Sequence, residues 1–326
     1  MGGGVWSNAV HEERAKTRAV NNIPAFQHHE DVVSGKVTAL HEALDPSKMK
    51  NGVREARDSA AHPNSVPILF GLDETGSMST VPRIVQSKLG KLMTTILTKG
   101  ILADPQILFA AIGDAHTGHE DHGHTPEKAP FQVGQFESGI EMEDDLTRFY
   151  LESNGGGQNM ESYDLLFYFA THHTVTDAWE KRQRKGYLFL TGDEHAYPTL
   201  DSGTIHRVFG GERGTKEYTI EQLVKDAQER YHCFFIIPGG SNHAGSRALH
   251  DHWTGLLGAG HVIHLEDPSD ICDTVATVIG ITEGTLAPTA LETLPKAVKA
   301  AMDPVITAAQ VKIDKAAATG ATTARL

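Results

Sequence analysis

The 326 residues include 42 acidic and 29 basic side chains, giving a formal net charge of −13, with 39% hydrophobic and 22% charged residues. That length and balance suit one large domain, or one domain with extensions, built around a packed core. The acidic excess repels nucleic-acid backbones and anionic membranes and argues against both as partners, but it is compatible with divalent cations.

Residues 1–64 are polar and rich in histidine, with few long apolar runs. One helix is expected over 32–44, ended by Pro46, and the region reads as an N-terminal extension that packs on or near the domain. The domain begins at Ser65. Residues 66–72 (Val-Pro-Ile-Leu-Phe-Gly-Leu) form a nearly continuous apolar run, the mark of a buried central strand. After a turn over 73–79, apolar residues from Val81 to Leu97 recur at spacings of three and four, which predicts a helix with one buried face, stopped at Gly100. A strand follows over 107–112 and ends at Gly113-Asp114. Then come a polar, His-rich loop over 115–128, a short edge strand over 131–136, and helices over 141–152 and 160–173. Further strands are expected over 186–191, 232–237 and 261–265, and further helices over 220–230, 244–257 and 269–279.

Alternating strands and helices predict an α/β fold: a Rossmann-like, doubly wound, mostly parallel central sheet with helices on both faces. In such sheets ligands bind at the carboxyl ends of the strands. Residues 285–326 are rich in Ala, Thr, Lys and Pro and read as a C-terminal tail, with an amphipathic helix over 294–313 and a disordered end. The domain is thus placed at 65–284. Cys233 and Cys272 lie in apolar stretches without CxxC or zinc-type spacing and read as buried thiols in a reducing compartment. The N-terminus lacks the pattern of a signal peptide, and no run of about 18 apolar residues is present. A cytoplasmic location is the expectation.

The chemistry concentrates at Asp73-Glu74-Thr75-Gly76-Ser77-Met78-Ser79, between the first buried strand and its helix. Asp73 supplies charge at the strand end. Thr75 and Ser77 place two hydroxyls at alternate positions of a tight turn, and Gly76 lets the backbone bend between them. Such a hard, oxygen-only donor set suits Mg²⁺, with Mn²⁺ or Ca²⁺ as alternatives. Mg²⁺ takes six oxygens and retains water, which leaves a position open to a partner's carboxylate.

This string resembles the first loop of the metal-ion-dependent adhesion site of von Willebrand factor A (vWA) domains, in the variant carried by intracellular members such as the domain attached to alpha-kinases. Ala111-Ile112-Gly113-Asp114 ends a strand where those relatives carry an arginine–aspartate pair. Residues 154–162 (Asn-Gly-Gly-Gly-Gln-Asn-Met-Glu-Ser) are similar to their triple-glycine loop. Residues 188–195 (Leu-Phe-Leu-Thr-Gly-Asp-Glu-His) are similar to their third metal loop. The resemblance covers about residues 65–281. It implies Asp73, Thr75 and Ser77 as metal ligands, with Asp193 and Gln158 added from the third and second loops. Two departures stand out. The second loop has no Thr, so Gln158 or Asn159 would supply a neutral amide oxygen there. The third loop reads Thr191-Gly192-Asp193 where relatives have Thr-Asp-Gly, which displaces the acid by one residue.

The resemblance also implies a binding function rather than catalysis. The expected partner is another protein that offers an Asp or Glu side chain, such as a MoxR-type AAA+ ATPase or a component of a bacterial or phage multi-protein assembly; self-association is a variant of the same idea. Two other readings stand beside it. In one, a metal-dependent hydrolase uses His195 as general base together with the His-rich loop around His116, His119, His122 and His124. In the other, the domain is a metal-free scaffold. The Gly-rich stretches at 210–215 and 239–246 do not fit a P-loop, and the acidic residues at 141–145 read as a solvated helix start.

Overall fold

The structure is a computed structural model that describes residues 3–78, 80–116, 127–152 and 160–286, together with Val305. Helices α1 (Asn8–Val20) and α2 (Gln27–Val33) precede a short strand, β1 (Arg54–Ala56). Strand β2 (Val66–Asp73) leads through one 3-10 turn, Gly76–Met78, into α3 (Thr80–Thr98). Next come β3 (Pro105–Ile112), β4 (Phe131–Val133), α4 (Glu141–Thr147), β5 (Met160–Glu161), α5 (Tyr163–His172), β6 (Thr174–Thr176) and α6 (Asp177–Arg182). Strands β7 (Gly186–Thr191), β8 (His195–Ala196) and β9 (Thr199–Leu200) follow, then α7 (Ser202–Phe209) and β10 (Tyr218–Thr219). The last described elements are α8 (Ile220–Arg230), β11 (Tyr231–Pro238), α9 (Arg247–Leu257), β12 (Val262–Leu265) and α10 (Ile271–Thr282).

Six strands form the central sheet in the order β4-β3-β2-β7-β11-β12. All pairings are parallel except β3 with β4 at one edge. Taken in chain order these strands stand 3-2-1-4-5-6, the doubly wound arrangement, and the direction of winding reverses between β2 and β7. Every residue of β2, β3 and β7 is buried, because helices cover both faces. Alternation sorts the side chains between the two faces. Ile68, Phe70, Leu72, Phe109 and Phe189 face α3 and α10. Leu69, Leu108, Leu188, Leu190 and Phe235 face α5, α8 and α9. Each such side chain contributes roughly 1.5–3 kcal/mol by leaving water.

The N-terminal segment shares this core: Trp6, Phe26 and Leu44 are buried against the α3 face. The helix expected over 32–44 does not form. Helix α2 ends at Val33, Ser34 caps it, and Gly35 turns the chain with φ +73°; short 3-10 turns at Glu42–Leu44 and Pro46–Lys48 follow. Helix α1 was not anticipated, because its only fully buried residue is His11. Charge rather than an apolar stripe holds it: His11 and Arg18 both meet the buried Glu143 of α4. The helix expected over 160–173 starts later, at Tyr163, since Met160 and Glu161 pair as a strand with His195 and Ala196. That expected over 141–152 stops at Thr147. The helix placed at 294–313 lies outside the described residues, except for the buried Val305. Both cysteines are buried and unpaired, and burial raises each thiol above its ordinary range, Cys272 to about 12. Among the described residues no helix is long and apolar enough to cross a membrane.

Candidate functional site

In doubly wound sheets ligands bind at the carboxyl ends of the strands where the winding reverses; here that point lies between β2 and β7, and the sequence places its acidic loop there. Asp73 is the last residue of β2. Leu72 before it pairs with Thr191, the last residue of β7. The Asp73 N–H points to the Thr191 hydroxyl at 3.4 Å. Thr75 donates to one Asp73 carboxylate oxygen twice, from its N–H at 2.8 Å and from its hydroxyl at 2.6 Å. The phenol of Tyr163, at the start of α5, donates to the other oxygen. Asp73 is fully buried. Burial pushes its carboxyl up to about 7; the hydrogen bonds from Thr75 and Tyr163 pull the other way, and the Asp193 charge adds to the rise.

Asp193 follows β7 by two residues and is 2% exposed. It accepts a bond from the His243 N–H at 3.3 Å. Gly192 between Thr191 and Asp193 has no room for a side chain, since a Cβ there would stand 2.4 Å from the Tyr163 phenol oxygen. Thus the space beside residue 192 is filled by Tyr163 reaching Asp73, and the acid of this loop stands at residue 193. Gly76 adopts φ +25° inside the loop, as a turn between the two hydroxyl positions requires. Ser77 lies in the 3-10 turn that follows. Gln158 lies outside the described residues, as do His119, His122 and His124 of the His-rich loop.

More acid surrounds this pair. Asp114, past the end of β3, accepts bonds from the hydroxyls of Ser162 (3.1 Å) and Tyr197 (2.9 Å) and from the His116 N–H (3.0 Å). Glu194 is pushed up to about 7 by burial, with Asp193 and Asp114 adding to the rise. Glu161 of β5 is 1% exposed, and both its carboxylate oxygens are buried without a hydrogen-bond partner among the described residues. Burial raises it well above the ordinary range, and the charges of Asp73, Asp114, Glu194 and Glu127 push further in the same direction. Glu74 points the other way, to the Gln132 amide at 3.1 and 3.2 Å.

The histidines divide. His116 is a structural residue: it meets Asp164 at 2.9 Å and stacks on Tyr197 with ring centroids 3.7 Å apart. Burial lowers its pKa, but the Asp164 contact outweighs burial and raises it overall. His195 turns toward His252, with ring centroids 4.8 Å apart.

The donors at the crevice are carboxylate and hydroxyl oxygens, and buried carboxylate oxygens without partners are what a hard cation satisfies. Among the described residues no group of three or more His, Cys, Asp and Glu side chains is placed to hold a metal ion. Carboxylates alone would therefore not hold a cation at Asp73; hydroxyls and water would have to contribute. Asp73, Thr75 and Asp193 do converge. Sequence reasoning assigned no role to Glu161 or Tyr163. Tyr163 opens an apolar helix and reads as core, and the signal for Glu161 was an acid directly before that helix.

No family model matches the chain, and no curated protein matches it in sequence. Solved structures are similar to it in fold alone. The pilus adhesin SpaC from Lactobacillus rhamnosus GG, in its open conformation, matches 70% of this chain and 31% of its own, at 8% identity and a TM-score of 0.47. Proximal thread matrix protein 1 from the mussel byssus matches 66% of this chain and 47% of its own, at 9% identity and a TM-score of 0.39. The chain thus spans less than half the length of either.

Proposed function

We propose that this chain is a vWA-type binding module of the metal-ion-dependent adhesion kind. In this reading Asp73, Thr75, Ser77 and Asp193 hold a divalent cation, Mg²⁺ by preference, for recognition of an Asp or Glu side chain on a partner protein. The observation that carries the reading is the pairing of Asp73 and Asp193, two buried carboxylates at the ends of adjacent strands, in the crevice where the sheet reverses its winding. Buried like charges destabilise each other unless a proton or a cation neutralises them. A bound cation supplies positive charge and an open coordination position toward an anionic oxygen. The chain's own groups do the rest: Thr75 fixes one oxygen of Asp73 and Tyr163 fixes the other.

Binding rather than hydrolysis is proposed because His195 turns toward His252, and because the described part of the His-rich loop is locked on Asp164. The partner class, a MoxR-type AAA+ ATPase or another assembly component in the cytoplasm, extends the same resemblance. The test is a pull-down from the native host with wild type and Asp73→Ala, each with Mg²⁺ and with EDTA. A partner retained only by wild type with Mg²⁺ supports the reading. A partner held equally in all four samples overturns it and moves recognition elsewhere on the surface.

A further inference from the structure

Away from the strand ends, the N-terminal segment and the end of α4 enclose a cavity of about 460 Å³, a size that admits a small molecule. Its wall comes from His28 of α2, from Val37, Thr38, Leu40 and His41 in the segment that follows, and from Arg148 just past α4. His28 shapes this wall. Its Nε2–H donates to the Ala39 carbonyl at 2.9 Å, and its ring meets that of His41 edge-on, with centroids 5.0 Å apart. His41 accepts the Ala43 N–H on Nδ1 at 3.1 Å, which leaves the proton of the neutral ring on Nε2, as a donor. Arg148 spends Nη1 on Asp145 at 3.1 Å. Its Nε and Nη2, the His41 Nε2 and the Thr38 hydroxyl make no hydrogen bond among the described residues.

The carboxylates of the same wall are already met by lysines: Asp31 by Lys36 at 3.0 Å, and Glu42 by Lys48 at 3.8 Å. Burial lowers the His41 pKa, with His28 and Arg148 adding to the fall and Glu42 opposing it. Donors and positive charge therefore gather in this cavity without an acceptor between them, in a chain whose net charge is −13. An anion placed there supplies the acceptor.

We propose that this cavity binds a small phosphate monoester, with Arg148, His41 and Thr38 on the phosphate and Val37 and Leu40 against its organic group. A guanidinium takes two phosphate oxygens side by side. His41 and Thr38 then serve the remaining oxygen of a tetrahedral group, which a planar carboxylate lacks. A metal ion does not suit the wall, since guanidinium and N–H donors repel it, and among the described residues no group of three or more His, Cys, Asp and Glu is placed to hold one. The site needs no cation at Asp73.

Isothermal calorimetry of the full chain in EDTA tests this, with phenyl phosphate, inorganic phosphate and benzoate as probes. The proteins are wild type, Arg148→Gln, Arg148→Lys, Thr38→Ala and Asp73→Ala. The expected result is saturable binding of phenyl phosphate by wild type, weaker binding of inorganic phosphate, which lacks the organic group, and weaker still of benzoate. Arg148→Gln should lose about tenfold or more in affinity, as for a charge-assisted bond. Arg148→Lys keeps the charge without the fork and should lose less. Thr38→Ala should lose about two- to tenfold, and Asp73→Ala nothing. Circular dichroism and thermal unfolding check each fold; if Arg148→Gln, which also gives up Asp145, does not fold, Arg148→Lys and the exposed Thr38→Ala carry the test. No saturable binding of either phosphate by wild type up to about 10 mM, or full affinity in the folded Arg148 and Thr38 variants, overturns the proposal. Benzoate held as tightly as phenyl phosphate overturns phosphate as the ligand class. Loss of binding in Asp73→Ala alone would move the anion to the Asp73 loop and overturn this site.

Discussion

At the residue scale the crevice depends on a few close fits around Asp73. Tyr163 and Gly192 form one device, in which the phenol reaches Asp73 only because residue 192 has no side chain. Tyr163→Phe removes a buried donor and leaves an oxygen of Asp73 unsatisfied. The expected cost to the metal-free protein is about 1–3 kcal/mol. In the proposed reading a cation on Asp73 takes over that role, so the rise in melting temperature on adding Mg²⁺ is expected to be larger in Tyr163→Phe than in wild type. An equal rise in both would show that the phenol and the cation do not share Asp73. Gly192→Ala displaces the same phenol. A double-mutant cycle between the two positions should therefore show coupling above about 0.5 kcal/mol, measured by denaturant unfolding.

At the scale of elements, α1 docks by charge. Glu143 of α4 receives His11 at 3.1 Å, the Arg18 guanidinium, and the Gln86 amide of α3 at 3.3 Å. Burial alone would raise Glu143, but its bonds from His11 and Arg18 outweigh burial and lower it. A carboxylate lowered on folding stabilises the folded state above its unfolded value of about 4.5, and that contribution is lost as the pH falls through the lower folded value. The expected outcome is that α1 releases in acid before the sheet unfolds, seen as early hydrogen exchange over residues 8–20. Glu143→Gln should produce the same release at neutral pH, at a cost of about 3 kcal/mol. Protection of α1 that tracks global unfolding at every pH would contradict this.

At the scale of the whole molecule, the Asp58 ion-pair cluster and the Asp73 loop stand at opposite ends of β2. Asp58 lies beside the start of β2, far along the strand from Asp73. It accepts two bonds from Arg182 (2.7 and 3.1 Å) and two from Ser65 (3.1 and 2.8 Å), which hold its carboxyl well below the usual carboxylate range despite partial burial. Its contribution is present above the ordinary value near 3.8 and disappears as the pH falls through the lower folded value. Asp58→Asn should cost about 2 kcal/mol in urea unfolding and leave Mg²⁺ affinity within twofold of wild type, a margin chosen as roughly 0.4 kcal/mol. A large drop in Mg²⁺ affinity would show that the two ends are coupled.

The sequence by itself determined the layered α/β architecture, because continuous apolar strands buried on both faces and helices with one apolar stripe leave few other ways to exclude water. The strand over 186–191 and the helix over 220–230 were legible to the residue, as was the position of Asp73 and Thr75 at a strand-to-helix turn. Helix α1 was not legible, since a helix held by the polar contacts of His11 and Arg18 with Glu143 carries no apolar period. Nor was the strand at Met160–Glu161, which exists only because the chain at His195–Ala196 lies beside it. The convergence of Asp73, Asp193, Glu161 and Tyr163 was decided by the tertiary structure alone. These residues come from three separate segments, and no local spacing encodes which buried carboxylate finds a donor and which is left without one.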